Sequence, residues 1–382
     1  MTGEFKRAKL NALSALYECN DNGCRRSRLA GVGMIRMLGT LWGQDNSRKV
    51  EGSRGEAQVL SEARQCFSRP PTRRLVLSIP ASTIVALVTT SGAEASEQGS
   101  LARRGSWLTP AVIAPGVTYA TLMSPTIRDR VSFHIYLPPD YRANLGRRYP
   151  TLYWLHGTGG GQRGIPVISG LFDAAIREGK IPPMIVVFPN GLPEGMWTDS
   201  ADGLAPVETI LVNDLLPHID RNYRTIPSRR ARILEGFSMG GYGAARIGFR
   251  HADIFASISM LAAGPLDRDF KGPRAVTDPP LRQRILSTVY GGDIAIYRAQ
   301  SPWQIATAKA ATIRRELRLR QLVGGEDFTV ADNRAFHLHL GQLDVPHEYR
   351  ELAGVGHDAA KILSALGDEN WRFYRAAFAD RG

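Results

Sequence analysis

"EGFSMGGYGA", residues 235–244, sets one serine, Ser238, between an apolar run and a cluster of glycines. Gly236-Phe237-Ser238-Met239-Gly240 satisfies G-x-S-x-G. In that motif the serine sits on a sharp turn from strand to helix with its hydroxyl exposed, and glycines flank it because larger side chains would clash. Upstream, "ARILEGFS" reads as a strand; downstream, "GGYGAARIGFRHA" reads as a helix. The competing reading is a glycine-rich turn that only packs a helix closely on a sheet. Partner residues decide between the two.

Outward from this turn, strand-like and helix-like stretches alternate from about Pro110 onward. "VSFHIYLP" (131–138), "TLYWLHG" (151–157), "MIVVFPNG" (184–191), "ASISMLAAG", "LRLRQLVGG" and "HEYRELAG" read as strands. "VETILVNDLLPHIDRNY" (207–223), "NRAFHLHLGQL" and "ENWRFYRAAF" carry helical spacing. This alternation predicts an α/β fold, a mainly parallel central sheet with helices on both faces.

A serine hydroxyl is a weak nucleophile at neutral pH and needs a histidine to take its proton, with a carboxylate to orient that histidine. In a strand–turn–helix elbow of this kind the partners follow in the order serine, acid, histidine. His357, in "AGVGHDAA", lies in a glycine-bearing loop just after an expected strand and is preferred as the base. His337 and His339 fall in an expected helix, on opposite sides of it, and His347 begins a strand. For the acid, "LVGGEDFT" offers Asp327, with Glu326 as the fallback. Asp327 could equally cap the helix that follows, since a cap and a triad acid are chemically similar positions.

An oxyanion needs two N–H donors, one after the nucleophile and one from an earlier loop. Met239 supplies the first by position, and Thr158 in "LHGTGGGQRG" (155–164) is the expected second. The same loop contains G-x-G-x-x-G at Gly159–Gly164, a dinucleotide fingerprint. That fingerprint expects an acidic residue at the end of the next strand, where this chain has Pro189 and Asn190. No cofactor is therefore expected, and with no HExxH or comparable cluster no metal site is expected either.

"IYLPPDYRANLGRRYPTLYWLHGTGGG", "GFSMGGYGAARIGF", "GGED" and "GVGHD", in this order, resemble the putative-esterase family of α/β-hydrolases. That family groups feruloyl and acetylxylan esterases, enterochelin-esterase-like proteins, S-formylglutathione hydrolases and mycolyltransferases. The resemblance runs from about residue 115 to 380. It implies an α/β-hydrolase fold with Ser238 as nucleophile, Asp327 as acid, His357 as base, and the N–H groups of Thr158 and Met239 as oxyanion hole. "DLLPHIDRNYRT" and "SPWQIA" (301–306) resemble further segments of the family. Two departures are a long N-terminal extension and Thr158 itself, where an apolar residue is common.

Among 382 residues, 43% hydrophobic and 22% charged leave room for a large core. The net charge of +12 raises nucleic acid as a partner, but its distribution weakens that reading. Residues 1–95 hold 14 Lys+Arg against 8 Asp+Glu, half of the whole excess. Cys19, Cys24 and Cys66 all lie there as well, so the rest of the chain has neither disulfides nor Cys-based zinc ligation. "RRLVLSIPASTIVALVTTSGAEA" (73–95) has two arginines, an apolar run broken by Pro80, and a small-residue end. That is the layout of a secretory signal, too short for a membrane span, with cleavage expected after Ala95. The expected organisation is an unpatterned basic extension at 1–70, a signal-like segment at 71–95, a linker at 96–112 and the α/β domain at 113–382. Because signals begin chains, the true start is expected near residue 60 to 70.

The expected protein is an exported serine esterase acting on a small-molecule or polysaccharide ester, with no nucleic acid partner and no stable membrane anchor. Feruloyl or acetyl esters of polysaccharides and siderophore-type esters are the candidate substrates. An acyltransferase or a non-catalytic glycan- or protein-binding member of the fold are the alternatives. Trp154, Trp197 and Trp303 are candidate pocket residues, against simple core packing. The sequence does not specify an oligomeric state.

Overall fold

Leu152 and Trp154 point to one side of the strand "TLYWL", and Tyr153 and Leu155 to the other, yet all four are buried. A strand that is apolar on both faces needs a layer of helices above and below it. The computed structural model, which describes residues 106–271 and 279–379 and the backbone of two short N-terminal strands, has that arrangement. By contacts the chain divides into Met1–Ala81 and Ser82–Gly382. In the first unit, β1 (Tyr17–Asn20) pairs antiparallel with β2 (Gly23–Arg26), Cys19 opposite Cys24. The signal-like segment, Cys66 and residues 96–105 of the linker lie outside the described residues.

The second unit holds an eight-stranded sheet in the order β10-β9-β8-β7-β5-β6-β4-β3. Its strands are β3 (Val117–Ser124), β4 (Asp129–Tyr136), β5 (Thr151–Leu155), β6 (Ile185–Pro189), β7 (Arg232–Phe237), β8 (Ser257–Leu261), β9 (Arg318–Gly324) and β10 (Glu348–Leu352). From β6 to β10 every neighbouring pair is parallel, while β4 is antiparallel to both β6 and β3. The expected mainly parallel α/β-hydrolase sheet is thus present. β3, which the sequence reading passes over, is an edge strand with four of its eight residues only half-buried, so its apolar signal is weak.

One face of the sheet is covered by α1 (Ile165–Arg177), α8 (Ala359–Ala365) and α9 (Asp368–Ala379), through Phe172, Ile362, Trp371 and Tyr374. The other packs against α3 (Met239–Arg250) and a helical segment that starts at Val207–Thr209, passes through a π-helical run at Ile210–Leu215 and ends as α2 (Leu216–Asn222). Between β8 and β9 lie α4 (Pro279–Tyr290), α5 (Ile294–Gln300) and α6 (Pro302–Glu316). α7 (Val330–Gln342) follows β9. β5 pairs with β6 on one side and β7 on the other, so the chain reverses its direction of travel across the sheet at β5. Open α/β sheets place ligands at the carboxyl ends of strands flanking such a switch point. Here those ends carry His156-Gly157 after β5 and Ser238 after β7.

Candidate active site

Ser238 joins β7 to α3 with φ 59° and ψ −121°, a left-handed conformation rare for a residue with a side chain. Its backbone is pinned on both sides. The Ser238 N–H donates to Leu261 O at 2.9 Å, and Ser238 O accepts from Tyr242 N at 3.1 Å and Gly264 N at 3.0 Å. The two motif glycines explain why the turn is possible. A Cβ on Gly236 would stand 2.2 Å from Gly240 O, and one on Gly240 would stand 1.9 Å from Leu155 O. Ser238 occupies the N-cap of α3, where a serine hydroxyl ordinarily bonds the helix backbone, yet it makes no cap bond. The hydroxyl is left for other work.

Asp327 and His357 come from the loops after β9 and β10. His357 Nδ1 lies 2.8 Å from Asp327 Oδ2, and Asp327 is buried. Its second oxygen, Oδ1, accepts from the Thr329 N–H and the Thr329 hydroxyl, each at 2.8 Å. Asp327 therefore pairs with the histidine through one oxygen and holds the turn through the other; the helix that follows has Thr329 at its N-cap with no side-chain cap bond, so the helix-cap reading of Asp327 does not hold. Burial works to raise the Asp327 pKa; the bonds from His357 and Thr329 outweigh it and hold the carboxyl below its usual value. Glu326, the fallback acid, is exposed.

The imidazole of His357 contacts two aromatic rings. Phe237, which precedes Ser238, has its centroid 4.5 Å away, and Phe328, which follows Asp327, has its centroid 4.3 Å away. Among the described residues no hydrogen bond joins Ser238 to His357; what links the two is Phe237, the residue before Ser238, whose ring contacts the imidazole. Catalytic hydrogen bonds often tighten only once substrate is bound. Neither phenylalanine is singled out by the sequence reading, although both adjoin residues that are.

At the end of β5, the site of a Cβ on Gly157 lies 3.2 Å from Ser238 Cβ, which brings the 156–161 loop against the serine. Thr158 is half-buried and Met239 fully buried. Among the described residues neither donates its N–H to a protein acceptor. Met239 is the first residue of α3, so its N–H is one of the unpaired donors at the positive end of the helix dipole.

Two of the three tryptophans are packed as the core reading expects, and the third is half-buried. Trp197 is 0% exposed and Trp154 5%, and Trp154 packs edge-on against Phe172. Both pack into the core, Trp197 completely. Trp197 instead supports the loop at the serine, its Nε1 donating to His156 O at 3.0 Å. Trp303 is half-buried, donates Nε1 to Leu266 O at 2.6 Å, and carries the Arg268 guanidinium 4.3 Å from its ring centroid. His337 and His339 do face apart: His337 contacts His347 at 2.7 Å, and His339 contacts Thr307 at 3.2 Å.

Six arginines of the domain gather at the opposite ends of the strands. A groove of about 870 Å³ there is lined by Arg229, Arg230, Arg315, Arg318, Arg350 and Arg372, with Glu316, Glu348 and Glu369 among them. Arg229 and Arg315 pair with Glu316, and Arg350 with Glu369. Among the described residues no helix is long and apolar enough to cross a membrane.

A mainly parallel sheet with a serine elbow after β7, a buried acid after β9 and its histidine partner after β10 defines an α/β-hydrolase. Residues 124–381 match the family described as Putative esterase, and the chain belongs to that family. It is 31% identical over 267 residues to Esterase Rv1288 of Mycobacterium tuberculosis, an alignment covering 64% of this chain and 56% of that protein. It is 32% identical over 169 residues to an endo-1,4-beta-xylanase/feruloyl esterase of Xylanibacter ruminicola, covering 42% of this chain and 23% of that one. The chain thus spans about half or less of these relatives. A solved ferulic acid esterase shares the fold with TM-score 0.57 at 24% identity, over 69% of this chain and 98% of that one. S-formylglutathione hydrolase (FrmB) of Staphylococcus aureus does so with TM-score 0.53 at 19% identity, over 70% of this chain and 98% of that one.

Proposed function

We propose that this esterase-family hydrolase is a serine carboxylic-ester hydrolase in which Ser238 is the nucleophile, His357 the base and Asp327 the orienting acid. The carrying observation is the 2.8 Å bond from the His357 ring to buried Asp327, with that ring in tilted contact with Phe237, the residue preceding Ser238. Asp327 accepts the Nδ1 proton and so leaves His357 Nε2 as the basic nitrogen. As Ser238 Oγ attacks the ester carbonyl, its proton passes to Nε2, and the carbonyl oxygen takes up negative charge between the N–H groups of Thr158 and Met239. The tetrahedral intermediate collapses, the C–O bond to the alcohol breaks, and Nε2 returns the proton to the leaving alkoxide. Water then repeats the sequence on the acyl-enzyme: Nε2 takes its proton, the acid leaves, and Ser238 regains its hydrogen.

For substrate, the similarity to a protein named as a xylanase/feruloyl esterase supports feruloyl esters of polysaccharides, ahead of the acetyl and siderophore-type esters that the sequence reading also offers. Export rests on the segment at 73–95, with its paired arginines, apolar run and Ala93-Glu94-Ala95. Hydrolysis of p-nitrophenyl acetate and methyl ferulate by the full chain, beside Ser238→Ala, tests the proposal. Turnover that disappears in the variant supports it; turnover that persists refutes the assignment of the nucleophile.

A further inference from the structure

His156 stands at the end of β5, buried, and both of its ring nitrogens are occupied. Gly191 N–H donates to Nε2 at 3.1 Å, which makes Nε2 the acceptor and places the ring proton on Nδ1. Nδ1 lies 2.8 Å from Gly157 O, so the ring donates to the carbonyl of the next residue. The backbone of His156 is held as well, its carbonyl accepting the Trp197 indole N–H at 3.0 Å, with the two rings 5.0 Å apart.

The oxygen that accepts the His156 proton belongs to the Gly157–Thr158 peptide. A trans peptide is planar, with its C=O and N–H directed to opposite sides. Fixing Gly157 O on the imidazole therefore turns the Thr158 N–H away from it, where it has no protein acceptor among the described residues. Gly157 itself lies against Ser238, and the following N–H, of Gly159, is tied to Pro193 O at 2.8 Å. The loop is anchored on both sides of the Thr158 N–H.

We propose that His156 is a positioning residue for the oxyanion site, a neutral Nδ1–H imidazole that holds the Gly157–Thr158 peptide with its N–H aimed at the developing oxyanion. The inference rests on the serine-esterase reading. It gives the histidine of the "LHG" segment a role distinct from that of His357: it neither accepts the serine proton nor touches substrate. Gly191 and Trp197 act at one further remove, by setting its tautomer and its place.

Full-chain His156→Leu and His156→Asn, compared with wild type on p-nitrophenyl acetate, test this. Leucine removes the donor; asparagine can offer a side-chain N–H to Gly157 O. The expected result is a fall in kcat of about 10²–10³ for leucine, the range for losing one oxyanion donor, with KM within about threefold. Asparagine is expected to recover kcat to within about tenfold of wild type. A folded leucine variant with kcat near wild type, or equal losses in both variants, overturns the proposal. Histidine ¹⁵N NMR of the wild-type chain tests it without any variant: the proposal requires His156 protonated at Nδ1 and bare at Nε2, and the opposite tautomer contradicts it. Failure of the underlying reading is recognisable separately, because then wild-type turnover would not depend on Ser238 at all.

Discussion

His357 Nδ1 and Asp327 Oδ2 lie 2.8 Å apart while Thr329 occupies the other carboxylate oxygen from both its N–H and its hydroxyl. The two functions of Asp327 can therefore be separated. Asp327→Asn keeps an oxygen for Thr329 but presents His357 with an amide that can donate, which favours the wrong imidazole tautomer. The expected loss in kcat on p-nitrophenyl acetate is about 10³–10⁴, with the melting temperature little changed. Glu326→Gln, on an exposed side chain, is expected to leave kcat within about twofold. Equal losses for the two substitutions would contradict the assignment of the acid.

The imidazole of His357 contacts the rings of both Phe237 and Phe328. Removing one ring frees it to rotate without touching its hydrogen bond. Phe328→Ala is expected to lower kcat by roughly tenfold with little effect on KM, since misorientation of a catalytic group costs rate rather than binding. Steady-state kinetics on a short-chain ester check this; an effect confined to KM would place Phe328 in substrate binding instead.

Gly240 is irreplaceable on steric grounds. Its missing Cβ would fall 1.9 Å from the carbonyl oxygen of Leu155, a backbone atom that cannot swing aside. Gly240→Ala is expected to destabilise the chain by about 3 kcal/mol or more, visible as a lowered urea midpoint. An alanine variant with unchanged midpoint and activity would mean that helix and strand stand further apart than described.

Burial drives the His156 pKa down to about 4, against a small opposing effect of its bond to Gly157. An unfolded histidine titrates near 6.5, so as pH falls the unfolded chain takes up the proton first. The sign follows: stability is full above pH about 6.5, declines as pH falls toward 4, and levels off below. The loss from this residue is about 3 kcal/mol. Urea unfolding across pH 4–7 is expected to show a shallower acid decline in His156→Asn than in wild type. Parallel curves would contradict it.

The elbow was legible because its requirements are local. A strand, a sharp turn and a helix within ten residues leave their mark in composition, and Gly236 and Gly240 are there for contacts that any residue with a Cβ would break. Asp327 and His357 could be named from loop position and chain order, and the structure brings them together. What lay beyond reach was set by tertiary partners. Trp197 has the composition of a pocket residue and is wholly buried, because Gly243 on α3 lets the helix close over it, a relation of residues 46 apart in sequence. α4 buries only Ile285, Val289 and Tyr290, too little for a clear helical stripe. His156 was read only as part of a motif, since its task depends on Gly191 from the neighbouring strand's end.

The central claim is that Ser238 carries the acyl group between two half-reactions. Mass spectrometry of the full chain quenched at acidic pH during turnover of p-nitrophenyl acetate tests it most directly. The account predicts a single acetyl increment on the peptide containing Ser238, approaching one per chain when deacylation is the slower half, and absent in Ser238→Ala. Turnover with no increment, or an increment on another residue that survives Ser238→Ala, would contradict it.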